Sequence, residues 1–285
     1  MILPMRILLL LAALSLTPRQ DTLRIAVTGD TGDGAETVAT AIASLHAREP
    51  LDAVILTGDN FYPCGVLSVG DSRWKLVQPL TRIGVPIFPV LGNHDSCGHS
   101  DPDAQVRATG LVPNWRFPAR EYTVRSPFAD FAFVDTNPYV KKQNRALETT
   151  LADAFLPSGA KWRIVIGHHP ILSSGYHGYF PRAEVKRMRD LIPLLRSVGA
   201  DVYLCGHDHH LEWIRGRMLF LISGAGSEPI PPVKLRLRTA YPHEIHPVER
   251  IGFAVLEITA KRIRVRMYDA KGEAKSDWLD GRTKK

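Results

Sequence analysis

Five short apolar runs in this sequence each end in a glycine followed at once by a side chain able to hold a metal ion or move a proton. Ile25–Thr28 leads into Gly29-Asp30, and Val54–Thr57 leads into Gly58-Asp59-Asn60-Phe61-Tyr62. Phe88–Leu91 leads into Gly92-Asn93-His94-Asp95, Ile164–Ile166 into Gly167-His168-His169, and Val202–Cys205 into Gly206-His207-Asp208-His209. Asp, Asn, His and Tyr delivered repeatedly to one place read as a metal site. The glycine before each polar residue lets the backbone turn tightly or approach an ion closely. Singly, each ending is ordinary: Gly-Asp after a strand is most often a turn, and Gly-Asn-His can be an Asx turn with a surface histidine. His207 and His209 are two apart, so on an extended segment they share one face. Five such endings in one chain point to a common site.

Such a site needs elements that bring five loops together. From Leu23 onward, runs rich in Val, Ile, Leu and Phe alternate with stretches of helical spacing. Strands are expected at Arg24–Thr28, Ala53–Thr57, Ile87–Leu91, Phe131–Asp135, Arg163–Ile166 and Asp201–Leu204, and helices at Glu36–Ala47, Trp74–Ile83, Arg145–Phe155 and Arg182–Val198. This alternation implies an α/β layer architecture, in which loops at strand carboxyl ends converge on one crevice. The end of the chain differs: Leu219–Ser223, Gly252–Ile258 and Arg262–Tyr268 are expected as consecutive strands, a second sheet or an antiparallel edge. No repeat or linker divides the chain, so residues 22–285 are expected to form a single domain. Ser96–Arg120 and Glu228–Arg250 look irregular. The second, with five prolines plus Lys234, Arg236 and Arg238, is either a mobile flap or a solvated loop. Lys271–Lys285 is expected as a short strand and a polar tail.

Composition narrows the partners. The chain of 285 residues is 45% hydrophobic and 23% charged, which is ordinary for a globular protein. Its net charge of +7 favours anionic partners, but the cations are scattered and form no basic, aromatic-interleaved patch, so no nucleic-acid partner is expected. Met1 and Arg6 precede an apolar run, Ile7–Leu16, too short to span a membrane. Residues 1–15 are read as a signal peptide cleaved after Ser15, which implies a secreted or periplasmic protein without a membrane span. Cys64, Cys97 and Cys205 show no CxxC spacing, so thiolate zinc binding is not expected.

The ordered set GD, GDNFY, GNHD, GHH, GHDH resembles that of the calcineurin-like metallophosphoesterases. The tyrosine of GDNFY is similar to that of the purple acid phosphatase branch, in its small, tartrate-resistant acid phosphatase-like type. Further similarity runs through Pro102–Gln105, Phe131–Thr136 and Ser223–Gly226. The resemblance implies a four-layer sandwich, two mixed β-sheets packed face to face with helices outside. It also implies a binuclear centre sharing Asp59: Fe(III) on Asp30, Asp59, Tyr62 and His209, and a divalent ion (Fe²⁺, Zn²⁺ or Mn²⁺) on Asp59, Asn93, His168 and His207. Two carboxylates, a phenolate and an imidazole suit a trivalent ion, and an amide with two imidazoles suits a divalent one. His94 and His177 resemble the family's substrate-contacting pair, for hydrogen bonding to phosphate and protonating the leaving alkoxide. The implied activity is hydrolysis of a small-molecule phosphate monoester by a metal-bound hydroxide. A phosphodiesterase or nucleotide pyrophosphatase using the same metals is the first alternative, and a non-catalytic binding protein on this scaffold the second.

With that ligand set, the loops after Tyr62 and Asp95 must run close together, and a Cys64–Cys97 disulfide becomes possible beside the alternative of two free thiols. Cys205 is read as a buried, inert thiol. His169 is assigned a packing or ligand-supporting place, and Asp135 a place in support of the fold. His46, His99, His210, His243 and His246 receive no function.

Overall fold

Two β-sheets lie face to face with helices on their outer surfaces, as a computed structural model shows for residues 13–141, 145–155, 159–179, 183–230, 243–246 and 250–281. The first sheet orders its strands Ala13–Ser15, Tyr122–Arg125, Ala129–Phe133, Trp162–Ile166, Val202–Cys205, Leu219–Ser223, Leu211–Arg215 and His243–His246. The second orders Ala274–Gly281, Arg262–Asp269, Gly252–Ile258, Leu23–Thr28, Ala53–Leu56 and Ile87–Pro89. Both are mixed. Leu23–Thr28, Ala53–Leu56 and Ile87–Pro89 run parallel, as do Ala129–Phe133, Trp162–Ile166 and Val202–Cys205. The expected four-layer sandwich is the fold observed.

Alternation of side chains decides the layers. Ile164, Ile166, Leu204 and Leu221 point between the sheets and join Ile25, Val27, Ile55 and Leu256 in one core. Their neighbours Val165, Tyr203, Cys205 and Phe220 point outward and pack under the helices with Leu147, Leu151 and Leu195. Helix Glu36–Arg48 buries Val38, Ala41, Ile42 and Leu45, the i, i+3, i+4, i+7 stripe its sequence prescribes. Two expected helices break at prolines, because proline fits the first turn of a helix and disrupts its interior. Trp74–Ile83 becomes a 3₁₀ turn, Ser72–Leu76, and a short helix, Gln78–Thr81, with Pro79 in its first turn. Arg182–Val198 becomes Ala183–Arg189 and Ile192–Ser197, the latter opening on Pro193.

The sheets are stitched together near their carboxyl ends. Thr57 Oγ1 donates to the Ser223 carbonyl at 3.1 Å, and Ser223 Oγ donates to the Val27 carbonyl at 2.7 Å. Tyr122 OH donates to the Pro89 carbonyl at 2.8 Å. These bonds fix the two rows of strand ends against each other. Cys205 is buried as expected. Most of the Glu228–Arg250 segment, 231–242 and 247–249, lies outside the described residues, as do residues 1–12 of the proposed signal peptide.

Candidate metal centre

The loops following three parallel strands of one sheet meet those following two parallel strands of the other. The second sheet supplies Asp30, Asp59, Tyr62 and Asn93; the first supplies His168, His207 and His209. Among the described residues four non-glycines adopt a left-handed φ, and three are at expected ligands: Asp30 (57°), Asp59 (53°) and His207 (68°). Such conformations are retained where the surroundings over-determine them, and they gather at functional sites.

The polar atoms form two groups joined at one oxygen. Tyr62 OH lies 3.3 Å from Asp30 Oδ1, 3.4 Å from Asp59 Oδ2 and 3.1 Å from His209 Nε2. His168 Nε2 lies 3.4 Å from Asp59 Oδ2, 3.0 Å from Asn93 Oδ1 and 3.1 Å from His207 Nδ1. Asp59 Oδ2 thus belongs to both groups. The other oxygen, Oδ1, accepts the His94 backbone N–H at 2.8 Å. All seven side chains named by the resemblance are brought together, in two groups that meet at Asp59.

Gly58, at φ 96°, makes the tight turn expected of such a glycine, and two others clear space for side chains. A Cβ on Gly92 would lie 2.0 Å from Asp59 Oδ1, and one on Gly206 would lie 2.3 Å from Asp30 Oδ2. The missing side chains make room for the Asp59 and Asp30 carboxylates of neighbouring loops.

The electrostatics fit a cationic occupant. Burial, then the Asp30 and Asp59 carboxylates, push the Tyr62 phenol well above its ordinary range. A phenolate can form there only if strong positive charge offsets those carboxylates. Burial alone would push His168 down, but Asp59 outweighs it and raises the imidazole to about 9. Burial and the surrounding imidazoles hold His207 well below its usual range, in the neutral form that a ligand requires. Oxygen and nitrogen donors around one shared carboxylate therefore suit a pair of iron-, zinc- or manganese-class ions.

His94 and His177 flank this cluster. The His94 side chain is 42% exposed, with Nε2 4.0 Å from Asp59 Oδ2. Its Nδ1 lies 2.7 Å from the Pro63 carbonyl, which can only accept, so Nδ1 carries a hydrogen and Nε2 faces the cluster. The His177 ring sits 3.9 Å from the His207 ring, centroid to centroid. The His177 loop hangs on two acids: Asp208 Oδ1 accepts the His177 N–H at 2.8 Å, and Glu212 Oε2 accepts the Ser174 N–H at 2.9 Å.

Several supporting residues escape the sequence reading. Asp95, fully buried, accepts from Gly92 N at 2.8 Å, Asn60 N at 3.1 Å and Gln105 Nε2 at 2.9 Å, locking the Asp59 loop to the Asn93 loop. Its place two residues after Asn93 was the available signal. His210, assigned nothing, is buried with Nε2 2.9 Å from Glu212 Oε2. His169 is buried beside the site, with its Nδ1 2.7 Å from Thr136 Oγ1 and its ring 4.7 Å from the His207 ring, centroid to centroid. Asp135 Oδ1 accepts the Asn137 N–H at 2.9 Å. Cys64 and Cys97 are bonded, their Cα atoms 5.4 Å apart.

Comparison with known proteins agrees with this geometry. Residues 23–211 match the calcineurin-like phosphoesterase family. Purple acid phosphatase 7 of Arabidopsis thaliana is 30% identical over an alignment covering 82% of this chain and 77% of that protein. Tartrate-resistant acid phosphatase type 5 of Sus scrofa is also 30% identical, covering 84% of this chain and 77% of its own length. Among solved structures, GAP50, the anchor in the inner membrane complex of Plasmodium, is 26% identical with a TM-score of 0.76, covering 93% of this chain and 90% of that one. The chain belongs to the calcineurin-like phosphoesterases, in their purple acid phosphatase branch.

Proposed function

We propose that this chain is an acid phosphatase that hydrolyses small phosphate monoesters with Fe(III) and a divalent ion. The observation that carries the proposal is Asp59 Oδ2, which is shared by a phenol-bearing group on one side and an amide- and imidazole-bearing group on the other. Asp30, Asp59, Tyr62 and His209 would hold the trivalent ion. Asp59, Asn93, His168 and His207 would hold Fe²⁺, Zn²⁺ or Mn²⁺. When bound, such a pair supplies an acidified water and positive charge against the phosphoryl oxygens.

The protein does the positioning. The His94 N–H holds Asp59 Oδ1, which leaves Oδ2 as the atom that faces both sites. Main-chain carbonyls orient two ligand rings: His168 Nδ1 is 2.8 Å from Thr57 O, and His209 Nδ1 is 2.8 Å from Glu228 O. His94 is aimed by Pro63 O so that a protonated Nε2 can give its hydrogen to the leaving alkoxide. Its exposed edge leaves the leaving group room in solvent. His177, against His207 on the other flank, would donate to a phosphoryl oxygen.

The structural likeness to an anchoring protein means the scaffold by itself does not imply turnover. The complete ligand set favours catalysis over the non-catalytic alternative. Secretion to an oxidising compartment accords with the Cys64–Cys97 bond. Cleavage after Ser15 would remove the edge strand Ala13–Ser15 that pairs with Tyr122–Arg125, so sequencing the mature N-terminus tests that boundary directly.

Metal analysis with a visible spectrum tests the centre. The iron-loaded protein should be violet through Tyr62, and Tyr62→Phe should bleach the band without unfolding the chain. A colourless protein holding two zinc ions would overturn the Fe(III) assignment. Faster turnover of a bis-aryl phosphate than of an aryl phosphate would move the chain to the phosphodiesterase alternative.

A further inference from the structure

A histidine that binds a metal through one ring nitrogen is aimed by what its other nitrogen donates to. Two of the three histidine ligands have that acceptor in place, the carbonyls of Thr57 and Glu228. His207 differs. Its Nδ1 is 3.1 Å from His168 Nε2 and faces the divalent site, so Nε2 is its outer nitrogen. Beside the ring lies a cavity of about 10 Å³, lined by His169, His177, Glu184 and Met188 together with His207. A carboxylate oxygen of Glu184 and ring nitrogens of His177 and His207 lie within 4.8 Å of one another. His169 is already engaged, through Nδ1, by Thr136.

We propose that Glu184 is the acceptor for the outer N–H of His207, and so a positioning residue for the divalent ion. The separation is within reach of a small side-chain rotation or of the single water that a cavity of this size admits. A carboxylate at that place fixes the Nε2–H tautomer, turns Nδ1 toward the metal and raises its basicity. It also brings a negative charge close to a centre whose ions outweigh their ligands: Fe(III) and a divalent ion carry +5 against −3 from Asp30, Asp59 and Tyr62. Glu184 stands on the helix Ala183–Arg189, which is anchored by buried Val185 and Met188, so the carboxylate is held on a packed element. None of the five strand-end motifs contains it, since it comes from a helix 23 residues before His207.

This inference rests on the dimetal reading above, and the test separates the two. Wild type and variants are loaded with Fe(III) and Zn²⁺ and dialysed against graded chelator. Zinc per chain and the visible band are then followed independently. Glu184→Ala should weaken zinc binding about 10- to 100-fold while the iron band persists. Glu184→Gln, whose amide oxygen still accepts, should lose distinctly less. Alanine is a good helix former, so Ala183–Arg189 should survive, and an unchanged circular dichroism spectrum checks this. Zinc retention by Glu184→Ala equal to wild type would overturn the proposal and leave the dimetal reading intact. Loss of iron and zinc in step would also overturn it, because that result marks a general structural role. A wild type that binds no second ion would overturn the dimetal reading, and this proposal with it.

Discussion

Replacing both Cys64 and Cys97 with serine should make the protein easier to unfold by roughly 4 kcal/mol, with or without metal. The bond joins positions 33 residues apart and ties the Tyr62 loop to the Asn93 loop. In the chain-entropy model, closing a loop of that length lowers the entropy of the unfolded chain by about 12–13 cal/mol/K, close to 3.8 kcal/mol at 25 °C. Because this contribution acts on the unfolded chain, bound ions should not mask it if unfolding releases them. The folded loops have other ties: Gly65 N donates to His94 O at 2.8 Å, and Asp95 accepts from Asn60 N. The variant should therefore still fold and assemble its site. Urea titrations followed by fluorescence of the five tryptophans would measure the loss, with reduced wild type as the matching control. An unchanged urea midpoint would refute the reasoning. So would peptide mapping that found both cysteines alkylated before any reduction.

Asp59→Asn should lower occupancy of both metal sites together, since Oδ2 is the one oxygen they share; metal content per chain reads this, and two retained ions would remove the bridge. His94→Ala should slow alkyl phosphates at least tenfold more than aryl phosphates, whose leaving oxygens need little protonation, and equal losses would take His94 out of the acid role. The metal-free protein should lose stability as pH rises. His168 has a folded pKa near 9 against an ordinary value of 6.5, so its contribution is complete below about 6.5 and is lost as pH climbs through 9. The loss should be on the order of 3 kcal/mol, seen as a falling melting temperature that His168→Asn flattens.

The chain's sequence was enough to pick out the residues that meet at the site, because residue type, a preceding glycine and a place after an apolar run are all read from adjacent positions; their division into two ligand sets came from the family resemblance. The alternation of strands and helices was legible in the same way, whereas the four layers came from the resemblance, and the opposite faces of Ile164, Val165 and Ile166 are separated only by the two cores of the structure. Short strands of mixed character such as Tyr122–Arg125 and Leu211–Arg215 escaped, because their pairing partners as much as their own residues make them strands. In Trp74–Ile83 and Arg182–Val198 the hydrophobic spacing predicted continuous helices, but Pro79 and Pro193, also plain in the sequence, prevailed and divided them. Only the tertiary structure decided how the ligands are held. Which oxygen of Asp59 faces both sites depends on an N–H 35 positions away, and the aim of His168 depends on a carbonyl 111 positions away. The glycines clear space for side chains of other loops, and Asp95 and Glu212 work through backbone groups that every residue carries. Such contacts leave no mark on local composition. They exist because two sheets, closed against each other by buried apolar surface, bring remote strand ends within hydrogen-bonding distance.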